Sequence, residues 1–236
     1  MLPFQRRSFL LFVSSEKGLV PMNPMRLASL AISILLLPGT ALSQATGSAP
    51  CAPGGPGPEG GALARLAQPA DAPRELLALI EIPAGTSIKY ELHEESGRME
   101  VDRFLSMPVA YPANYGILPC TLAEDGDALD VLVLTREPVA PGSLIRVRPV
   151  GLLRMLDRGE EDHKLLAVPV EGVDPGFARV LELDDLAREE LDRIEAFFRV
   201  YKDLPDPEVE VVVGPWETLD RALEVIRISM ESAGSP

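Results

Sequence analysis

From about residue 73 the chain alternates short apolar runs with Gly, Pro, Asp and Ser turns. LLALIEI (76–82), IKYEL (88–92), RMEVDRF (98–104), DVLVLT (130–135), SLIRVRPVG (143–151), KLLAVPV (164–170) and VEVVVG (209–214) read as β-strands. Many short strands without alternating helices indicate a small barrel rather than a parallel α/β sheet. Two helical patterns follow. DDLAREELDRIEAFFRVYKDL places Ala187, Leu191, Ile194, Phe198 and Tyr201 at steps of four, three, four and three, one apolar stripe, with Asp184 and Asp185 where acids favour a helix start. WETLDRALEVIRISM repeats the stripe with Trp216, Leu219, Leu223 and Ile226, after a break at Gly214-Pro215. The expected fold is mainly β (α+β): a barrel from about 75 to 170, closed by helices at about 184–203 and 215–231.

The first 72 residues follow another logic. Met25-Arg26 precede LASLAISILLL, Pro38-Gly39 and TALSQA, the order of basic, apolar and small-residue regions in a secretory signal peptide. The apolar run falls short of the roughly 20 residues a spanning helix needs. Residues 1–43 are therefore expected to be a signal peptide, with translation starting at Met22 or Met25. An uncleaved membrane anchor, or a cytoplasmic protein with a misread start, are the alternatives. Residues 44–72, rich in Gly, Pro and Ala, read as a flexible linker, and 73–236 as the folded domain. Of the two cysteines, Cys51 falls in the linker and Cys120 in the domain, and they are not expected to pair.

Composition narrows the chemistry. A net charge of −14 argues against holding a phosphate backbone through excess Lys and Arg, and 5% aromatic residues argue against base stacking as a main activity. An acidic protein that handles phosphate needs metal cations. Asp125, Asp127 and Asp130 stand as D-x-D-x-x-D. In extended chain Asp125 and Asp127 lie within about 7 Å on one side. Carboxylates that close repel one another unless a cation compensates, and oxygen-only ligands suit Mg²⁺ or Mn²⁺. Taken alone, the cluster fits a solvated acidic turn equally well. It does not fit an EF-hand, which needs Gly where Asp130 stands and Glu where Arg136 stands. A second acidic group, LDRGEEDHK (156–164), lies in another turn. Glu81 sits inside an apolar strand, where a carboxylate needs a partner. Lys89, Arg103, Lys164 and Lys202 lie in or beside core-like elements, and Tyr111 and Tyr115 bracket PAN. Acids for metals, cations for oxyanions and phenols for orientation together suit phosphoryl transfer. His93 and His163, without a second His or Cys at ligand spacing, are expected at the surface.

IEIPAGTSIKYELHEESGRMEVDRF, YPANYGILPCTLAEDGDALDVLVL, PGSLIRVRPVGLLRMLDRGEEDHKLLAVP and FFRVYKDL resemble the soluble family I inorganic pyrophosphatases of bacterial type, block after block from about 75 to 230. The resemblance implies a five-stranded OB-like β-barrel with flanking C-terminal helices. It also implies Mg²⁺-dependent hydrolysis of diphosphate and a homohexamer, with no nucleic-acid or stable membrane partner expected. It assigns Asp125, Asp130 and Asp162 to the metals that activate water, with Asp130 bridging, and Asp127 to accept the proton. Asp157 and Asp162 hold the metals that arrive with substrate, and Glu81 acts nearby. Lys89, Arg103, Tyr115, Lys164, Tyr201 and Lys202 hold the phosphates, while Glu91 and Tyr111 line the site. Two positions depart from the family pattern: Ala128 stands where Pro is common, and Arg158 stands beside Asp157 where many bacterial members carry an acid. A catalytically silent metal- or phosphate-binding barrel is the alternative reading.

Overall fold

The computed structural model describes residues 66–93, 96–205 and 210–234. The leader 1–43, Cys51 and most of the expected linker lie outside the described residues. Among the described residues nine strands and two α-helices follow in order: β1 (Leu76–Ile82), β2 (Ile88–His93), β3 (Arg98–Phe104), β4 (Asn114–Ile117), β5 (Asp130–Val133), β6 (Leu144–Asp157), β7 (Glu160–Glu161), β8 (Lys164–Pro169), α1 (Arg188–Val200), β9 (Val211–Glu217) and α2 (Leu219–Ala233).

Five strands close on one another. β1 runs antiparallel to β4, β4 antiparallel to β5, β5 parallel to β8, β8 antiparallel to β6, and β6 antiparallel back to β1. This ring of pairings is the predicted five-stranded OB-like barrel, which leaves no open edge within the ring. β6, 14 residues long, continues past the ring to pair with β7 and β9. Its register against β8 shifts between Pro149 and Gly151, where Pro supplies no N–H and a bulge bends the strand. β2 and β3 form a separate two-stranded hairpin beside the barrel.

The continuous apolar runs of β5 and β8 follow from burial on both faces. Val131, Val133, Leu165 and Ala167 join Leu76, Ala78 and Ile80 in a cluster with Ala222, Ile226 and Met230 of α2. The alternate residues Leu132, Leu166 and Val168 pack with Leu191, Ile194, Phe197 and Phe198 of α1. The two helices thus cover opposite sides of the same strands.

Three local expectations need correction. Gly214, Pro215 and Trp216 belong to β9, not to the second helix, because Trp216 pairs with Leu153 of β6; an edge strand tolerates the N–H that Pro lacks. α2 begins instead at Leu219, with the Thr218 hydroxyl accepting from the Arg221 N–H. Leu183–Asp185 forms a 3₁₀ turn before α1, and the Asp185 carboxylate accepts the N–H groups of Leu181 and Glu182 at 2.8 and 3.2 Å, ending the helical path that the acids suggested. His163 is largely buried rather than at the surface, its Nε2 3.1 Å from Glu161 and its Nδ1 against the Met155 backbone. His93 is exposed, as expected. Ordered packing also begins before residue 73: buried Gln68 donates to the carbonyls of Leu77 and Pro119 and accepts from the Leu77 N–H.

Candidate active site

The acidic stretch after β4 forms a tight turn that opens β5. Gly126 takes φ +90, a conformation that costs glycine nothing. The Asp125 carboxylate accepts the Asp127 N–H at 3.1 Å, and the Ala123 N–H donates to the Asp127 carbonyl at 2.8 Å. Asp130 then enters β5 as its first residue, with Lys164, the first residue of β8, beside it in the parallel register. Asp157 ends β6, and Asp162 lies between β7 and β8. Two strand ends and two turns therefore deliver their carboxylates to one end of the barrel, and a third strand end delivers Lys164.

The other side of the site comes from the hairpin and from α1. Lys89 and Arg103 are paired directly across β2 and β3, and Asp102 receives Lys89 at 3.2 Å and Arg103 at 2.5 Å. Lys89 also pairs with Glu91. At the end of α1, Tyr201 is held by an aromatic chain, and Lys202 lies 5.2 Å from its ring and pairs with Asp157. Tyr111 stacks on Phe197 at 4.8 Å, and Phe197 and Phe198 lie 5.2 and 5.3 Å from Tyr201. Tyr201 therefore both completes the apolar stripe and faces the site. Tyr111 meets Tyr115 of β4 edge-on at 5.6 Å. Beside Tyr115, β4 approaches β1 so closely that a Cβ at Gly116 would overlap the Leu79 carbonyl. Asn114 locks the same corner: its Oδ1 accepts the N–H groups of Ala84 and Val139 at 3.1 and 2.7 Å, and its Nδ2 donates to Val133 and Thr135.

These elements enclose a cleft of about 530 Å³. Every site residue expected from the sequence lines it: the acids Glu81, Glu91, Asp125, Asp127, Asp130, Asp157 and Asp162, the cations Lys89, Arg103, Lys164 and Lys202, and the phenols Tyr111, Tyr115 and Tyr201. Arg158, Glu160 and Ala128 line it as well. Asp102, which fixes the two hairpin cations, and Asn114 were not legible as site residues. An acid between paired cations in a strand, and an Asn before a strand, are ordinary surface and turn features until the partners are known.

Lys164 is the electrostatic centre. It is 2% exposed, pairs with both Asp130 and Asp162, and lies 5.6 Å from the Tyr115 ring. Burial alone would depress its pKa, but the two carboxylates outweigh burial and hold it above the ordinary lysine range. Burial pushes Asp162 up, Lys164 pulls it down and Asp130 adds to the rise, which prevails. Glu81 is pushed up to about 7, chiefly by burial, with Asp130 adding to the rise and the Leu92 N–H, 3.0 Å away, and Lys89 opposing it. Asp127 is raised by partial burial and by Asp125 and Glu91, against Lys89. Burial keeps the phenols of Tyr111, Tyr115 and Tyr201 protonated well above the usual range.

Among the described residues no three Asp, Glu, His or Cys side chains stand as a ready-made metal cluster, and Lys164 occupies the space between Asp130 and Asp162. The donor set nevertheless fits a hard divalent cation. Eight carboxylates face five cationic side chains in the cleft, so an anionic ligand meets net repulsion without added positive charge. Asp157 passes one oxygen to Lys202 and leaves Oδ1 buried without a hydrogen-bond partner. A buried carboxylate oxygen of that kind is what a metal ligand offers.

Known proteins agree with this geometry. The chain is 47% identical over 160 residues to inorganic pyrophosphatase of Aquifex pyrophilus, covering 68% of this chain and 90% of the relative. It is 48% identical over 159 residues to inorganic pyrophosphatase 2 of Pseudomonas syringae pv. tomato, covering 67% and 87%. Among solved structures, the inorganic pyrophosphatases of Helicobacter pylori and Thermus thermophilus superimpose with TM-scores of 0.69 at 40% and 36% identity, each covering 72% of this chain and 99% and 97% of theirs. The model of the inorganic pyrophosphatase family matches residues 78–233, and the chain belongs to that family.

Proposed function

We propose that the cleft hydrolyses inorganic diphosphate to two orthophosphates, that Mg²⁺ is the working cation, and that the protein acts after export as a homohexamer. The observation that carries the reaction is the convergence of Asp127, the ligand-type carboxylates and the Lys/Arg set on one cleft.

Lys89, Arg103, Lys164 and Lys202 bind the phosphate oxygens, and the neutral hydroxyls of Tyr115 and Tyr201 donate hydrogen bonds that orient them. Asp125, Asp130, Asp157, Asp162 and Glu81 would hold the divalent ions, which neutralise diphosphate and make water a stronger acid. Partial burial and the neighbouring Asp125 and Glu91 raise the pKa of Asp127, which makes its carboxylate a better acceptor for the proton of the attacking water. As the new P–O bond forms, the anhydride bond breaks and the leaving phosphate takes the electron pair. The cationic side chains stabilise that charge. Glu91 and Tyr111 shape the wall.

Mg²⁺ is favoured over softer ions because every ligand on offer is oxygen. Export rests on the pattern at residues 25–45, and the hexamer on family resemblance. The test is phosphate release from diphosphate with Mg²⁺ titrated and EDTA as control. Metal-dependent turnover is expected, and a folded protein without turnover in any divalent ion would make this a silent binding barrel. Fusing residues 22–50 to a reporter active only after export tests localisation, and light scattering tests the assembly.

A further inference from the structure

Beside the cleft lies a second cavity of about 360 Å³. The two cavities share Lys89, Arg103, Asp157, Arg158, Tyr201 and Lys202, so one opens onto the other. Four of those six side chains are cations, in a protein whose net charge is −14. Three of the four are already matched. Lys89 and Arg103 face Asp102, and Lys202 faces Asp157. Arg158 makes no ion pair or side-chain hydrogen bond with any described residue, and it stands exposed on the wall common to both spaces.

Its backbone setting is unusual for arginine. Arg158 and Gly159 have φ +53 and +87 and form the two-residue turn from β6 to β7. Asn, Asp or Gly ordinarily fills the first position of such a turn. The Arg158 N–H donates to the Glu210 carbonyl at 2.9 Å, which fixes the turn without using the side chain. The guanidinium is left available to a ligand, and its planar fork matches a phosphate better than an ammonium does.

We propose that the second cavity is a subsite for an additional phosphoryl group, so that cleft and annex together bind linear inorganic triphosphate, with Arg158 on the third phosphate. This rests on reading the cleft as the diphosphate site. The cations in the cleft are committed to local carboxylates or to diphosphate itself. A third phosphoryl group brings further negative charge, and Arg158 is the cation positioned to meet it.

The experiment measures competition by inorganic triphosphate against diphosphate turnover at constant free Mg²⁺, in the full chain and in Arg158→Asn and Arg158→Lys. Asn suits the left-handed turn and removes the charge, so a folding defect is not built into the test. The readout is the triphosphate inhibition constant divided by the diphosphate KM of the same protein, which cancels any effect common to both ligands. The ratio is expected to rise about fivefold or more in Arg158→Asn, consistent with losing one charge-assisted phosphate contact, and to return most of the way in Arg158→Lys. An equal ratio in all three proteins, or no competition in the unaltered chain, overturns the proposal, as does a nucleoside diphosphate that competes through Arg158 while triphosphate does not. If the unaltered protein fails to turn over diphosphate, the reading of the cleft fails separately. Calorimetric titration of triphosphate into the same three proteins then decides the annex by the same dependence on Arg158.

Discussion

Lys164→Met removes the cation between Asp130 and Asp162 while keeping the length of the side chain. Lys164 is 2% exposed, and the side chains of its two partners are 19% and 14% exposed. Unit charges 4 Å apart attract by about 4 kcal/mol at an effective dielectric of 20, and stripping water from an ammonium costs several kcal/mol. The intact triad is therefore close to balance. The variant is not, because the desolvated carboxylates stay behind without their counter-charge. Breaking a buried pair costs about 3–5 kcal/mol, and the residual exposure of both carboxylates reduces this to about 2–4 kcal/mol. The loss depends on pH in a definite direction. Burial and Asp130 already push Asp162 up against the pull of Lys164, and without Lys164 the rise is larger. A carboxyl group whose folded pKa is raised contributes stability below its unfolded pKa, and that contribution is lost as pH rises through the folded value. The penalty is thus smallest near the ordinary carboxylate pKa of about 4 and complete in the alkaline range. Urea unfolding in the presence of chelator, at about pH 5 and pH 8, measures it. A loss under about 1 kcal/mol at pH 8, or a larger loss at the acidic pH, would refute the argument that Lys164 neutralises the centre.

Asp127→Asn is expected to lower kcat by roughly 10²–10⁴, with a smaller change in KM, because it removes the proton acceptor and leaves the phosphate-binding cations in place; normal steady-state turnover would remove Asp127 from that role. Gly116→Ala forces a Cβ into the backbone carbonyl of Leu79, which no rotamer change relieves, and should cost about 3 kcal/mol in denaturant unfolding; an unchanged midpoint refutes the close approach of β1 and β4. The Gly176 N–H at 2.9 Å and Arg136 at 2.8 Å hold the Asp174 carboxyl below its usual range. Its stabilisation is present above the unfolded pKa and fades as pH falls through the folded one. Asp174→Asn should therefore lower Tm at pH 7 and converge with the unaltered protein in acid, and a gap that widens on acidification contradicts that sign.

The carboxylates of the site were legible because D-x-D-x-x-D, the LDRGEEDHK turn and Glu81 each place charge against apolar runs, a conflict that local structure does not resolve. The matching blocks then assigned each one a position. The barrel was legible in kind but not in wiring. β6 is interrupted at Pro149 and Gly151, so its sequence suggests a strand ending at 151, and only its pairings with β8, β7 and β9 show that it continues to Asp157. β4 is four residues long, too short for its alternation to show against the Pro-rich approach. Trp216 fell at helical spacing by coincidence of register, and tertiary pairing placed it in β9. Asp102 and Asn114 escaped notice because their roles lie in their partners, which are distant in sequence for Asn114 and, for Asp102, include Lys89 across the hairpin as well as the adjacent Arg103.

Among the described strands, β5 and β8 are the one pair in the ring that run in the same direction. Both chains therefore enter the ring from the same end, and Asp130 and Lys164 sit abreast at the threshold. The spacing of acid and base is set by a hydrogen-bonded ladder instead of by a loop, so it cannot drift without unzipping the barrel. The other groups of the site stand on the rim, where their spacing is set by turns and by the hairpin: Asp125 and Asp127 on the turn before β5, Arg158 on the β6–β7 turn, and Lys89 and Arg103 across β2 and β3. The innermost acid–cation pair is thus indexed by the barrel itself, and the outer groups by the turns and hairpin that carry them.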